Sequence, residues 1–360
     1  MKVFEFKSGS RPITCVRFNP DGDLLFTATK EYMFSAWRTD NGDCLGTYHG
    51  HGGAILSLDT TSDTNFVISA SSDNTVQIWK TETGKSLVCL THQAPMSIVE
   101  FNSLDTMFFA VQDNAMRQPC LIFVYSWSFD EETSDFTTAV EQKHVIGPFS
   151  DYGVDRITCA SWGPEDKFII AGDSTGKLLI IDMSTQQVTA CLPSAHKGRI
   201  GDICFSQDRT HFVTASDDTY MKVWDCTVMP PVAVRSLTSG VPLNSASLSP
   251  IRFHACAGGG ISAEAVAQTS TDEDKFTARF FDLVYGDLLG HVKGHIGPIN
   301  SIRFSPDGRS FATGSEDSSV RLCFFDPKYF EDISRERTDM EMEEEFSESE
   351  KEEEDEIKNL

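Results

Sequence analysis

Apolar and polar residues alternate along this chain in short runs, and the runs recur at matching places. Ile55, Ile200 and Ile299 each stand four residues after a histidine, namely His51, His196 and His295. Each begins an alternating stretch of strand length, then a polar turn and a second apolar stretch holding Ser69, Thr214 or Thr313. A turn with Asp73, Asp218 or Asp317 comes 22 residues after the histidine. In two copies the third stretch ends on a tryptophan, as Trp79-Lys80 and Trp224-Asp225. Period-two alternation bounded by turn residues predicts half-buried strands. Recurrence in register predicts one supersecondary unit used several times.

Weaker copies of the same template are anchored at Gly9, His92, Gly153 and Gly240. Their apolar positions persist where the signature residues fail: Ile13, Phe18 and Trp37 in the first unit, Met96 and Phe101 in the third, Ile157 and Ile181 in the fourth. Seven units result. The pattern resembles the WD-repeat family, whose units of about 40–45 residues each form a four-stranded propeller blade. The expected fold is therefore all-β, a seven-bladed WD-repeat β-propeller over 1–333. The third and sixth units are longer than the rest, by insertions near 115–150 and 258–276.

Ring closure is also written in the chain. The second unit continues past Trp79 into an outer strand, Leu87 to Leu90, whereas the seventh runs from Phe325-Asp326 into Pro327, which cannot donate to a strand ladder. The missing strand is expected to be Lys2 to Lys7, clasping the two ends together.

The WD-repeat resemblance implies structural hydrogen-bonded tetrads: His51, Ser69, Asp73 and Trp79; His196, Thr214, Asp218 and Trp224; and His295, Thr313 and Asp317. Cys323 stands where the last of these should have its Trp. Catalytic readings of the same residues are weaker. A Ser, His and Asp at one spacing would suggest a hydrolase, but three copies are more than an active site needs, and no G-x-S-x-G elbow accompanies them. His49 and His51 lack the further ligands of a metal site. Gly258-Gly259-Gly260 lacks a phosphate-loop continuation and reads as a glycine-permitted turn. No catalytic residue, cofactor or metal is expected.

Charge and cysteine content narrow the class further. Net charge is −24. Residues 331–360 carry 15 acidic and 4 basic side chains, or −11, which leaves −13 for the rest. Such a tail, 334–360, cannot bury enough apolar surface to fold alone and is expected to be disordered. An acidic ring argues against direct nucleic-acid binding, which needs clustered Lys and Arg. The ten cysteines show no C-x-x-C pair and read as reduced thiols of a cytoplasmic protein. No apolar run is long enough to span a membrane, and the opening residues do not read as a signal peptide.

Several segments narrow the family. They are Asp23-Leu24-Leu25-Phe26-Thr27, Asn41 to Tyr48, the sixth unit from Pro242 through the three glycines to Lys275-Phe276-Thr277-Ala278-Arg279-Phe280-Phe281, and Gly290 to Asn300 with Phe325 to Phe330. Together they are similar to the I-subunit family of eukaryotic translation initiation factor three, over about 1–333. That resemblance implies a non-catalytic scaffold in a multisubunit factor, with the B and G subunits as partners and contact with the small ribosomal subunit through the complex. The partner patch is expected on the rim of blades five and six, near Val223, Asp225 and the 258–276 insertion. A generic WD-repeat adaptor, such as a ubiquitin-ligase substrate receptor or signalling scaffold, would share the ring but not the sixth-unit signature.

Overall fold

The computed structural model describes residues 2–130, 137–260 and 276–330. The polar stretch 131–136, most of the sixth-unit insertion and the acidic tail lie outside the described residues. Phe4–Leu322, which holds the blades, is one compact unit, and the described residues at the chain ends, 2–3 and 323–330, belong to a second.

Strands form where the alternation predicts them, in seven four-stranded antiparallel sheets. Six sheets use four consecutive strands. The seventh is ordered Lys2–Lys7, Ser319–Phe324, Ser310–Ser315, Ile299–Phe304, so the N-terminal strand supplies the outer edge that the last repeat lacks. Within Phe4–Leu322, Arg321 Nη2 donates to Glu5 Oε2 at 2.5 Å across that seam.

The turn from first to second strand is built on side-chain acceptors. Asn19 Oδ1 accepts from the Leu24 backbone N–H at 2.9 Å, and Asn102 Oδ1 accepts from that of Met107 at 2.8 Å. A carboxamide next to its own backbone can replace a turn hydrogen bond, which explains the polar residues found there.

The innermost strand of every blade has a register shift at its second residue, as at Ile13/Cys15, Ile55/Ser57 and Ile299/Ser301. Such bulges bend a strand and re-aim one side chain. Here the re-aimed residue serves the neighbouring blade. Thr14 Oγ1 donates to Ile55 O at 2.6 Å, Thr158 Oγ1 to Ile200 O at 2.6 Å, Asn244 Nδ2 to Ile299 O at 3.0 Å and Asn300 Nδ2 to Ile13 O at 2.8 Å. The last of these joins blade seven to blade one.

Small residues let the blades approach. A Cβ on Gly314 would lie 2.4 Å from Ile13 Cγ2, and one on Gly258 would lie 2.6 Å from Ile299 Cγ2. Gly259 would meet Pro242 O at 2.2 Å. Gly258 and Gly259 therefore belong to a strand, His254–Gly259, and not to the turn expected from the sequence. Their lack of a side chain admits the adjoining backbone and the next blade.

The third-unit insertion takes a defined form as well. Its outer strands, Leu121–Asp130 and Thr137–Ile146, are ten residues each, and their pairing runs out to Asp130 opposite Thr137. Part of the extra length is thus a prolonged hairpin. Trp127 and Phe129 on it pack edge-on against Phe66 of blade two, with ring centroids 5.0 and 4.7 Å away.

Candidate protein-interaction site

The recurring polar residues come together inside single blades. In blade two, His51 Nδ1 lies 3.0 Å from Asp73 Oδ2 and His51 Nε2 lies 2.7 Å from Ser69 Oγ, while Trp79 Nε1 donates to Ser69 Oγ at 2.8 Å. Blade five repeats this with His196, Asp218, Thr214 and Trp224 at 2.9, 2.7 and 2.9 Å. Blade seven has His295 with Asp317 at 3.1 Å and Thr313 at 2.8 Å. In blades two and five the hydroxyl accepts from the indole and donates to Nε2, so Nδ1 carries the proton offered to the carboxylate.

Burial lowers the pKa of His51 and His196, and it outweighs their aspartates, which act to raise it. Both imidazoles are therefore neutral in the fold. The Asp73 and Asp218 carboxyls lie below the usual range: burial opposes this, but hydrogen bonds from Thr75 and Gly52, or from Lys197 and Tyr220, together with the imidazole, prevail. Ser69 and Thr214 are 0 % exposed. Both hydroxyls are shut inside the blade, each bonded to an imidazole and an indole.

Two variants of this network escaped the sequence reading. Blade one has no histidine at the signature position, yet Ser8 Oγ lies 2.7 Å from Thr27 Oγ1 and Trp37 Nε1 donates to Thr27 at 2.8 Å. Glu31, four residues after Thr27, accepts from the Ser10 backbone at 2.8 Å, as Asp73 does from Gly52. In blade three, His92 Nε2 meets Tyr125 OH at 2.8 Å. Substitution at the signature positions concealed both, although the Thr27-to-Glu31 interval matches Ser69 to Asp73.

The rim of blades five and six has a different character. Val223 is 7 % exposed and packs in the apolar cluster with Leu243, Ala255 and Phe281. It was expected at a partner surface, but its side chain faces the core and supports the rim from within. Asp225 is half-buried at the end of its strand, where it accepts from the Thr227 backbone and hydroxyl at 2.8 and 2.6 Å and pairs across the ladder with Val232. Around it the outer strand Val232–Thr238 exposes Val232 and Val234, and the neighbouring blade exposes Tyr285, Leu288 and Leu289 beside Asp287. Arg235 of the Val232–Thr238 strand is exposed too and donates to Tyr285 O of the neighbouring blade at 3.4 Å, and exposed apolar surface of this kind suits a protein partner.

The family model described as EIF3I matches residues 1–333. The chain belongs to the EIF3I family. Relatives named eukaryotic translation initiation factor 3 subunit I include those of Taeniopygia guttata, 38 % identical over 92 % of this chain and 98 % of that protein, and of Homo sapiens, 37 % identical with the same coverage. The Saccharomyces cerevisiae protein is 34 % identical over 92 % of this chain and 94 % of its own length. Among solved structures, the β-propeller domain of Cps50 (Swd1) from Myceliophteria thermophila superposes with a TM-score of 0.70 at 17 % identity, covering 90 % of this chain and all of that domain. That likeness concerns the fold alone. As a member of this family the chain is a translation initiation factor subunit built on a WD-type propeller.

Among the described residues, no group of three or more His, Cys, Asp or Glu is arranged to hold a metal ion, and no helix is long and apolar enough to cross a membrane. All ten cysteines are free thiols.

Proposed function

We propose that this chain is a non-catalytic scaffold within translation initiation factor three, acting in the cytoplasm and supporting assembly of the factor on the small ribosomal subunit and recruitment of mRNA. Its direct partners in this reading are the B and G subunits, and the ribosome is reached through the complex. The observation that carries the proposal is the exposed surface of blades five and six, where Val232, Val234, Leu288 and Leu289 are exposed along with Arg235 and Asp287, Asp225 is half-buried, and Arg235 donates to Tyr285 O at 3.4 Å. Exposed apolar residues interspersed with charges of both signs suit a helix that bears apolar anchors and complementary charges. The −13 ring offers no concentrated positive field for phosphates.

Capture of the B subunit from lysate tests this directly. It should survive ribonuclease, and it should fall at least tenfold for the double variant Val234→Asp, Leu289→Asp, whose sites are exposed and whose fold should persist. Capture abolished by ribonuclease, or undiminished in the double variant, overturns the proposal. Purified chain should bind mRNA only weakly at physiological salt.

A further inference from the structure

The first strands of the seven blades line a central channel of about 340 Å³. Three carboxylates on these strands, Asp202 and Glu100 on the channel wall and Asp59 next to it, face arginines from other blades. Two are well satisfied. Asp202 of blade five holds Arg303 of blade seven through two contacts, Nη1 to Oδ2 at 2.6 Å and Nη2 to Oδ1 at 2.9 Å, and also accepts from Ser245 Oγ at 2.5 Å. Asp59 of blade two accepts from Arg17 Nη2 at 2.7 Å and from the Phe101 backbone at 2.8 Å.

Glu100 of blade three is held more loosely. Its side chain is 12 % exposed, its paired cation is Arg209 of blade five at 3.7 Å, and its hydroxyl partner is Ser161 of blade four at 3.0 Å. Arg209 is anchored elsewhere, donating to Trp162 O at 2.5 Å. Arg17 and Asp59 are the other charged groups acting on Glu100, with opposite effects.

We propose that Glu100 and Arg209 form a proton-linked clasp across blades three, four and five, closed as an ion pair when Glu100 is ionised and released when it is protonated. A largely buried carboxylate whose counter-ion lies beyond hydrogen-bonding distance is poorly compensated, and the ionised form is disfavoured. In line with this, burial raises the Glu100 pKa to about 7, against the smaller opposing pull of Arg209. Relative to the ordinary value of 4.5, the folded chain would bind this proton about 300-fold more tightly than the unfolded one. The folded pKa is raised, so the stabilisation is complete below pH 4.5 and is lost as pH rises through about 7. The clasp closes as Glu100 ionises around pH 7, at a cost to overall stability.

Carbon-13 spectra of the full chain labelled at glutamate carboxyls, recorded from pH 4 to 9, test the clasp. Glu100, assigned by its absence in Glu100→Gln, should titrate near 7 and move higher still in Arg209→Gln, which removes the attraction. Melting curves give a second readout: between pH 5 and 8 the wild-type midpoint should fall relative to that of Glu100→Gln. A midpoint near 4.5, or a titration unmoved in Arg209→Gln, overturns the proposal. If Glu100→Gln fails to fold, Glu100→Asp supplies the assignment and the Arg209→Gln comparison still decides.

Discussion

At the residue scale, the tetrads show how a few polar groups become structural by satisfying one another. Asp218 accepts from His196 and from the Lys197 and Tyr220 backbones, so Asp218→Ala should leave three donors without their acceptor. A loss of about 2–4 kcal/mol is expected, read as a lower melting midpoint. Asp225→Ala, at the strand end, should leave the melting midpoint close to that of the parent. The imidazoles also set an acid limit. His51 and His196 have folded pKa values below their ordinary 6.5, so the neutral-state stabilisation is present above pH 6.5 and is lost as pH falls from there toward the folded values. The Asp73 and Asp218 carboxyls, depressed below 3.8, lose theirs only at still lower pH. Acid titration of the melting midpoint should therefore show two phases, with the upper one absent in a variant carrying His51→Gln and His196→Gln. The trios were legible from their 22-residue spacing. The blade-one version was not, because a hydroxyl pair and a glutamate do in it what a histidine and an aspartate do elsewhere.

At the element scale, the strand is the unit that the alternation specified, and the blade is the unit that closure had to complete. Lys2–Lys7 was legible because the seventh repeat runs into Pro327 where an outer strand is needed. Deleting residues 1–8 should expose the edge of Ser319–Phe324 and remove the Glu5–Arg321 contact, and unpaired edges template association. Light scattering should show aggregation below the temperature at which the parent melts. A soluble truncated protein with the parental midpoint would mean that the edge is protected in another way. The seams between blades are equally sensitive to volume. Gly314→Ala would press a methyl onto Ile13 and should cost about 1–3 kcal/mol, whereas Gly290→Ala, with open space around it, should be tolerated. These seams could not be read from one repeat, since the donor and its acceptor carbonyl belong to different blades.

On the scale of the whole molecule, closure converts seven weak four-stranded sheets into one cooperative structure. Each sheet alone would leave both faces exposed, and neighbours bury them. Asn300 to Ile13, 287 positions apart in sequence, makes the same kind of link as Thr14 to Ile55, so chain-end residues are as integral to the ring as central ones. Asn300→Ala should therefore accelerate hydrogen exchange in the first strands of both blades seven and one together. Protection lost in blade seven alone would show that the joint is not cooperative. The same closure assembles the channel wall and the rim surface from several blades, which is why any function placed there depends on an intact ring.

By itself the sequence determined the seven units, the strands within them and the closing strand, because these follow from periodicity and spacing within single repeats, while the hydrogen-bonded groups of blades two, five and seven and the family were legible through resemblance to known repeats. Tertiary structure decided which side chains are available. Val223 looked like a rim residue and is core, and Gly258 looked like turn and is strand. Glu100 lies among Arg17, Asp59, Ser161 and Arg209, which come from four other blades. Burial and charge pairing depend on what lies across a seam, and no property of a residue's own repeat reports what the adjoining blade brings against it.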